Sequence, residues 1–489
     1  MCVCPFWIEI KMKRRDFIKS VTLGSAALTL PGILSAQTGT KPLAMPPLID
    51  ATSSGKFELT AQSGTVNFLG KSDTNTVGFN GNYLGPTLRV RQGNTGVSVR
   101  NEIGEVVTVH WHGLLIPGDV DGGPHQPIAP GQDWSITLPI DQPSATTWYH
   151  SHVHGRTAPH VYYGFAGMMH VTDGRDAERD LPIDYGIDDL SLVLQDRQFD
   201  GNGRMVYAPS MHSQMMGFTG DTMMVNGQVG RTAPIPKSIV RLRLLNGSNA
   251  RIYNLSFANG RVMHLVATDG GFLSAPVAID ELKLAPGERA EVLVDFTDGR
   301  GDTLVSADVA NSMMGGGGGI LPARKFTVLP FAVDDSLPAR QSRIPDVLDG
   351  TIPELNPKGA MLRRLSLDMA RGGMMMRGGA GGHSINGQPF DMERIDFTSG
   401  LGSTERWVIE APAMMHPFHI HGVSFQVVSE NGAAPSANNQ GWKDTVLVDK
   451  QTEVLVRFGK PAAKDRPYMF HCHILEHEDG GMMGQFSVA

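Results

Sequence analysis

Cysteine is scarce: the 489 residues hold only Cys2, Cys4 and Cys472. Two of these lie before residue 36. If that segment is removed one thiol remains, and no disulfide within the chain can hold the fold. Basic excess is missing as well. The net charge is −7, and the first 36 residues carry five Lys/Arg against two Asp/Glu, which leaves −10 on the remainder. A body that acidic repels polyanions, so nucleic acid is excluded as an expected partner. No long apolar run follows residue 36, so no stable membrane span is expected. Long helix-periodic stretches are lacking, while 58 Gly and 31 Pro punctuate the chain. With 41% apolar and 19% charged residues, this is a foldable, turn-rich composition that leans toward β structure.

Residues 12–36 read MKRRDFIKSVTLGSAALTLPGILSA. A basic stretch precedes a weakly apolar run over 21–34, broken by Pro31 and followed by Ser35 and Ala36. A run of about 14 residues is short of the ~20 that span a bilayer. Residues 1–36 therefore read as a signal peptide. Arg14-Arg15 followed by Asp16-Phe17-Ile18-Lys19 looks like a twin-arginine export signal. The expected partner is the twin-arginine export machinery, and the expected location is the periplasm.

One pattern recurs three times. Asn80-Gly81, Asn226-Gly227 and Asn386-Gly387 each open a turn, a Pro-containing loop and an alternating strand, at spacings of 146 and 160 residues. A second element occurs twice, APGQDWSITLPI from Ala129 and APGERAEVLVDF from Ala285. Units of about 150 residues built from short strands and Gly/Pro turns predict an all-β fold of three tandem Greek-key β-sandwiches. The expected domains are 40–178, 184–330 and 345–489, with 315–319 a flexible glycine-rich loop inside or at the end of the second.

Histidine placement carries the chemistry. Four His-x-His pairs occur: His110/His112, His150/His152, His419/His421 and His471/His473. In a strand, residues i and i+2 face one side, so each pair can aim two imidazoles at one point. Neutral imidazole suits copper, zinc, iron and nickel, and eight nitrogens suit a cluster of two or three ions. One such pair is ordinary on a surface or in a core; four are not. His154 competes with His150 as the partner of His152, and the strand-like Thr147-Trp148-Tyr149 favours His150.

Near the C-terminus the chain reads HCHILEHEDGGMM from His471. Cys472 alternates with its histidine neighbours and so points to the opposite face. There it can meet His477, Met482 and the earlier His416. Two imidazoles, one thiolate and a weak thioether are the donors of a blue-copper site, which explains the lone cysteine. Electrons collected at Cys472 would have a through-bond path to the cluster held by His471 and His473, with dioxygen the natural four-electron acceptor.

These residues resemble the multicopper oxidases. The match comprises His110-Trp111-His112-Gly113, Tyr149-His150-Ser151-His152, His416-Pro417-Phe418-His419-Ile420-His421-Gly422 and His471-Cys472-His473 through Met482. The resemblance implies three cupredoxin-like domains and four coppers per chain. His110 and His419 match type 2 ligands. His112, His150, His152, His421, His471 and His473 match the type 3 pair. His416, Cys472, His477 and Met482 match type 1. It further implies that Asp121 is the carboxylate near the type 2 copper and Glu478 the acid that passes protons to reduced oxygen. Asp444, after Gly441-Trp442-Lys443, is read as orienting a type 1 histidine.

Within the family the chain looks most like the bacterial copper-efflux oxidase and laccase branch. Methionines cluster at 211/215/216, 223/224, 313/314, 374–376 and 414/415. Thioethers bind Cu(I), and Met414 and Met415, just before His416, are candidates to line the site where electrons arrive. The expected function is oxidation of Cu(I), or of phenols or aromatic amines, coupled to reduction of O2 to water by a monomer active in copper tolerance. A laccase without a role in copper homeostasis is the close alternative. A periplasmic copper carrier, or a non-catalytic cupredoxin scaffold like the division-associated relatives of the family, is the distant one. The branch usually carries a long Met- and His-rich insertion in the third domain; here that region is short, MMMRGGAGGH from Met374.

Overall fold

Alternation of side chains is read directly as strand. In Lys56–Val66, KFELTAQSGTV, buried and exposed positions alternate along much of its length, as a sheet with one face on a core requires. In the computed structural model the described residues are 41–309, 325–348, 350–369 and 382–489. The export leader, the 315–319 run, and Met313, Met314, Met374, Met375 and Met376 lie outside them. Among the described residues the fold is all-β. Its α-helices are short: Thr157–Tyr163, Met211–Met216 and Leu475–Asp479. None is long and apolar enough to cross a membrane.

The strands form three sets. The first is two four-stranded sheets, one holding Ala145–His150 and the other Gly93–Asn101. Between them lies a core that includes Phe57, Val99, Trp111 and Tyr149. The second set is a seven- and a six-stranded sheet around Leu242, Tyr253, Val292 and Phe331. The third is an eight-stranded sheet built on Thr404–Ile420 and Thr445–Arg457, with Trp407, Phe418 and Phe486 in its core.

The threefold repeat has a structural cause. Asn80, Asn226 and Asn386 all take left-handed backbone, at φ of 55°, 51° and 53°. Asparagine tolerates that conformation better than most residues. Each side chain then plugs a distant strand in the same way. The Oδ1 atoms accept from the N–H of Thr60, Val193 and Ser366 at 2.6, 2.8 and 2.8 Å. The Nδ2 atoms donate to the carbonyls of Glu58, Ser191 and Arg364. The recurring Asn-Gly is thus one device used three times.

Candidate metal centre

Each histidine pair sits at or just beyond the end of regular strand pairing. His150 closes Ala145–His150, and His152 follows it; His471 lies in Tyr468–Cys472, and His473 follows it. His419 belongs to Thr404–Ile420, with His421 one residue beyond. His110 joins His150 through an isolated bridge, its N–H donating to the His150 carbonyl at 2.8 Å. His419 pairs with His471. Diverging strand ends let eight rings converge. All eight are buried. His110 stacks on His421 and His112 on His419, both at 3.7 Å, so the first and third strand sets meet ring on ring.

The outer nitrogens are tied to the protein. Nδ1 of His110, His150, His419 and His471 meets the carbonyl of Asp121, Ser151, Asp444 and Cys472 at 2.8–3.1 Å. His421 Nδ1 meets Asp121 Oδ2 at 2.8 Å, and His112 Nε2 meets Asp444 Oδ1 at 3.0 Å. Carbonyl and carboxylate oxygens only accept, so these nitrogens carry the hydrogen and the inner ones are lone pairs. Nε2 of His110, His150 and His419, and Nδ1 of His112, are buried without a protein partner, and His473 has neither nitrogen bonded. His471 Nε2 lies 3.2 Å from His421 Nε2 and 3.3 Å from His152 Nε2. Donor atoms of His110/His112/His150, His110/His419/His421 and His152/His421/His471 all fall within 4.8 Å of one another. Burial holds six of these rings neutral: it pushes His419 down to about 4, and His112, His150, His152, His421 and His473 well below the usual range. Neutral imidazole is the form that binds a metal.

The thiol side forms a second donor set. His416 Nδ1, Cys472 Sγ and His477 Nδ1 are separated by 3.3, 3.7 and 3.2 Å. A point equidistant from all three lies about 2.0 Å from each, the length of a metal–imidazole bond. Burial pushes the Cys472 thiol well up, so a bound cation would have to draw off its proton. Met482 is buried in the same core; its carbonyl accepts from the Cys472 N–H at 3.0 Å. Both donor sets therefore fit metal ions, the first by its inward lone pairs and the second by its triangle.

The predicted acids lie at the cluster. Asp121 Oδ2 reaches His421 and lies 3.4 Å from His110 Nδ1. Gly122, at φ +82°, permits this turn, since a Cβ there would strike the Val109 carbonyl. Glu478 lies 3.4 Å from His152 Nδ1 and 3.2 Å from His471 Nδ1. Burial pushes its carboxyl up, and the two imidazoles facing it draw it back below the usual range, which makes it a carboxylate at neutral pH.

Asp444 departs from expectation. It touches His112 and, through its carbonyl, His419, not a histidine of the thiol site. Strand register explains this: His419 lies opposite Thr445, and His416 opposite Val448. Asp444 is therefore level with the cluster. Met414 is buried in the third core, and Met415 packs against Ile252, Ala285 and Leu447. What covers His477 is a different set, not anticipated from sequence. The Met215 carbonyl accepts from His477 Nε2 at 2.9 Å, and the His383 ring stacks on His477 at 4.3 Å. His383 is anchored to the Gln214 carbonyl at 3.0 Å. His154 lies apart from these donor sets, its ring against Phe390.

Models of the multicopper oxidase family match residues 60–176, 191–316 and 356–489. The chain is similar to cell division protein FtsP of Xenorhabdus nematophila, 38% identical over 98% of this chain and 99% of that one. FtsP of Yersinia pestis is 38% identical over 97% and 98%. Among solved structures it resembles the laccase-like multicopper oxidase CueO of Ochrobactrum sp., described as having oxidase activity towards lignin model compounds and lignosulfonate. That likeness is 43% identity, 92% of this chain and 100% of that one, with a TM-score of 0.84. A laccase of Pediococcus acidilactici matches at 34% identity, 92% and 93% coverage and a TM-score of 0.79.

Proposed function

The chain belongs to the multicopper oxidase family, and from that premise we propose that it is an exported, periplasmic oxidase that takes electrons singly from a reductant and reduces O2 to two waters. The observation that carries this reading is the convergence of nine imidazoles and one thiol in two adjoining donor sets, with the His473 ring 5.2 Å from that of His112. Copper bound there, one ion at the thiol site and three in the cluster, would supply single-electron transfer and four-electron reduction of oxygen. The ligands follow the family pattern: His416, Cys472, His477 and Met482 at the first; His110 and His419, and the six remaining histidines of the pairs, at the second. Cys472 is bonded along the backbone to His471 and His473, so the two sites are linked by the shortest covalent route the chain offers. Asp121 orients His421 and His110. Glu478, buried beside two cluster imidazoles, accepts and passes protons, four of which each O2 consumes.

The cover over His477 bears on the reductant. With its outer nitrogen bonded to the Met215 carbonyl and its face against His383, this ring is closed to direct contact by a bulky phenol. That favours a small donor such as Cu(I), with thioethers of Met211, Met215 and Met216 on the covering helix, and hence a role in copper tolerance. The Ochrobactrum relative favours the laccase reading, with phenols or aromatic amines as donors. The FtsP relatives favour a division-associated scaffold without turnover; the full donor set speaks against it.

Copper-loaded protein separates these readings. We expect about four coppers per chain, oxygen uptake with Cu(I), slower uptake with dimethoxyphenol, and faster phenol oxidation when Cu(II) is added. Phenol turnover indifferent to added copper would support the laccase reading. No oxygen uptake with either donor would leave the scaffold. In the loaded protein E478Q should slow turnover by about 100-fold with copper content unchanged, since one positioned acid–base group is worth about that much or more. An unaltered rate would remove Glu478 from the proton path.

A further inference from the structure

The second strand set supplies no candidate ligand, yet one of its loops reaches the cluster. The repeated APG element turns there a second time. In the first copy Gln132 and Asp133 are exposed. In the second, Glu288 and Arg289 are 1% exposed. Gly287, at φ +84°, lies against the His473 ring, where a Cβ would approach within 2.8 Å.

Arg289 is the junction of the three strand sets. Its Nε donates to the Thr146 carbonyl of the first at 3.1 Å, and its Nη2 to the Asp269 carbonyl of the second at 3.1 Å. Its two Nη atoms grip both oxygens of Asp444 in the third, at 2.7 and 2.5 Å. Behind it, Lys443 Nζ bridges Asp269 at 3.0 Å and Glu288 at 2.9 Å. All five groups are buried, and three carboxylates face two cations. At the far end of this network Asp444 Oδ1 meets His112 Nε2 at 3.0 Å and accepts from Thr445 Oγ1 at 2.8 Å. Thr445 Oγ1 in turn lies 3.1 Å from both His112 Nε2 and His419 Nδ1.

We infer that Arg289 is a positioning residue for the cluster: by its two-pronged hold on Asp444 it keeps His112 and His419 with their N–H groups outward and their lone pairs inward. This rests on the oxidase reading only in taking those lone pairs as metal ligands. The fork of a guanidinium matches a carboxylate in a way an ammonium cannot, so charge alone does not replace it. Groups that orient a ligand from behind typically carry 10–100-fold in metal affinity.

The test compares wild type, R289K and D444N after copper loading, by copper count, blue absorbance, the type 2 electron paramagnetic signal and apo-protein melting. Both variants should bind cluster copper about 10–100-fold more weakly, with an altered type 2 signal and blue absorbance per chain retained. If R289K does not fold, D444N, which keeps the side-chain volume, decides. Full copper with an unaltered type 2 signal in the variants would overturn the inference while leaving the oxidase reading intact. Equal weakening of the blue site and the cluster would also overturn it, since that reports a general loss of structure. A wild type that takes up no copper would overturn both.

Discussion

C472S protein is expected to lose the intense blue absorbance and nearly all oxidase activity, to bind about one copper fewer per chain, and to keep its fold. The thiol is wholly buried and faces His416 and His477 at 3.3 and 3.7 Å. Serine is close to isosteric, so no cavity opens. The Ile474 N–H, now 3.4 Å from Sγ, remains available to the new hydroxyl, which limits the cost of burying it to about 1–3 kcal/mol. A hydroxyl, however, is a hard donor that stays protonated where a soft thiolate is needed. The cluster imidazoles lie on the other face of the strand and keep their outward hydrogen bonds. The variant should thus still show type 2 and type 3 signatures, and spectroscopy with copper analysis checks it. Blue, fully active C472S would remove Cys472 from the electron path.

The separation of the two sites was legible because strand alternation is local: one residue between His471 and His473 must face away from both. The all-β fold was legible for the same reason, from alternation and from the three Asn-Gly turns. Asp444 was misread because its partner depends on register between Thr404–Ile420 and Thr445–Arg457, which no local pattern reveals. Arg289 lay hidden in a repeated turn whose first copy is on the surface. His383 had no signal beyond being one more histidine; only the tertiary fold stacks it on His477. The same holds for Ser151 and His160, joined at 2.7 Å behind the His150/His152 pair. Ligands that share a strand announce themselves by spacing, whereas the groups that aim them come from other strands.

Copper should stabilise this chain strongly, and the metal-free protein should weaken with acid. Without a cation, lone pairs of His421 and His471 face each other at 3.2 Å, and the His477 Nδ1 lone pair lies 3.2 Å from His416 Nδ1. Four further inner nitrogens of the cluster lie buried without a partner, on His110, His112, His150 and His419. Each unsatisfied buried polar group costs about 1–3 kcal/mol, and a metal that binds only the folded chain removes that cost and adds its own binding energy. Loading should raise the melting temperature at pH 7 by roughly 10 °C or more. The pH dependence follows from sign. Burial depresses His416 to about 3 and His419 to about 4, whereas the unfolded chain takes protons near 6.5. Between those values the unfolded state binds more protons, so stability is full above about pH 6.5 and falls as pH drops toward 4. Each such histidine costs about 1.4 kcal/mol per pH unit in that window. Calorimetry of metal-free and loaded protein from pH 7 to pH 5 measures both effects. Equal melting temperatures with and without copper, or a metal-free chain indifferent to acid, would mean that the buried imidazoles already have partners of their own.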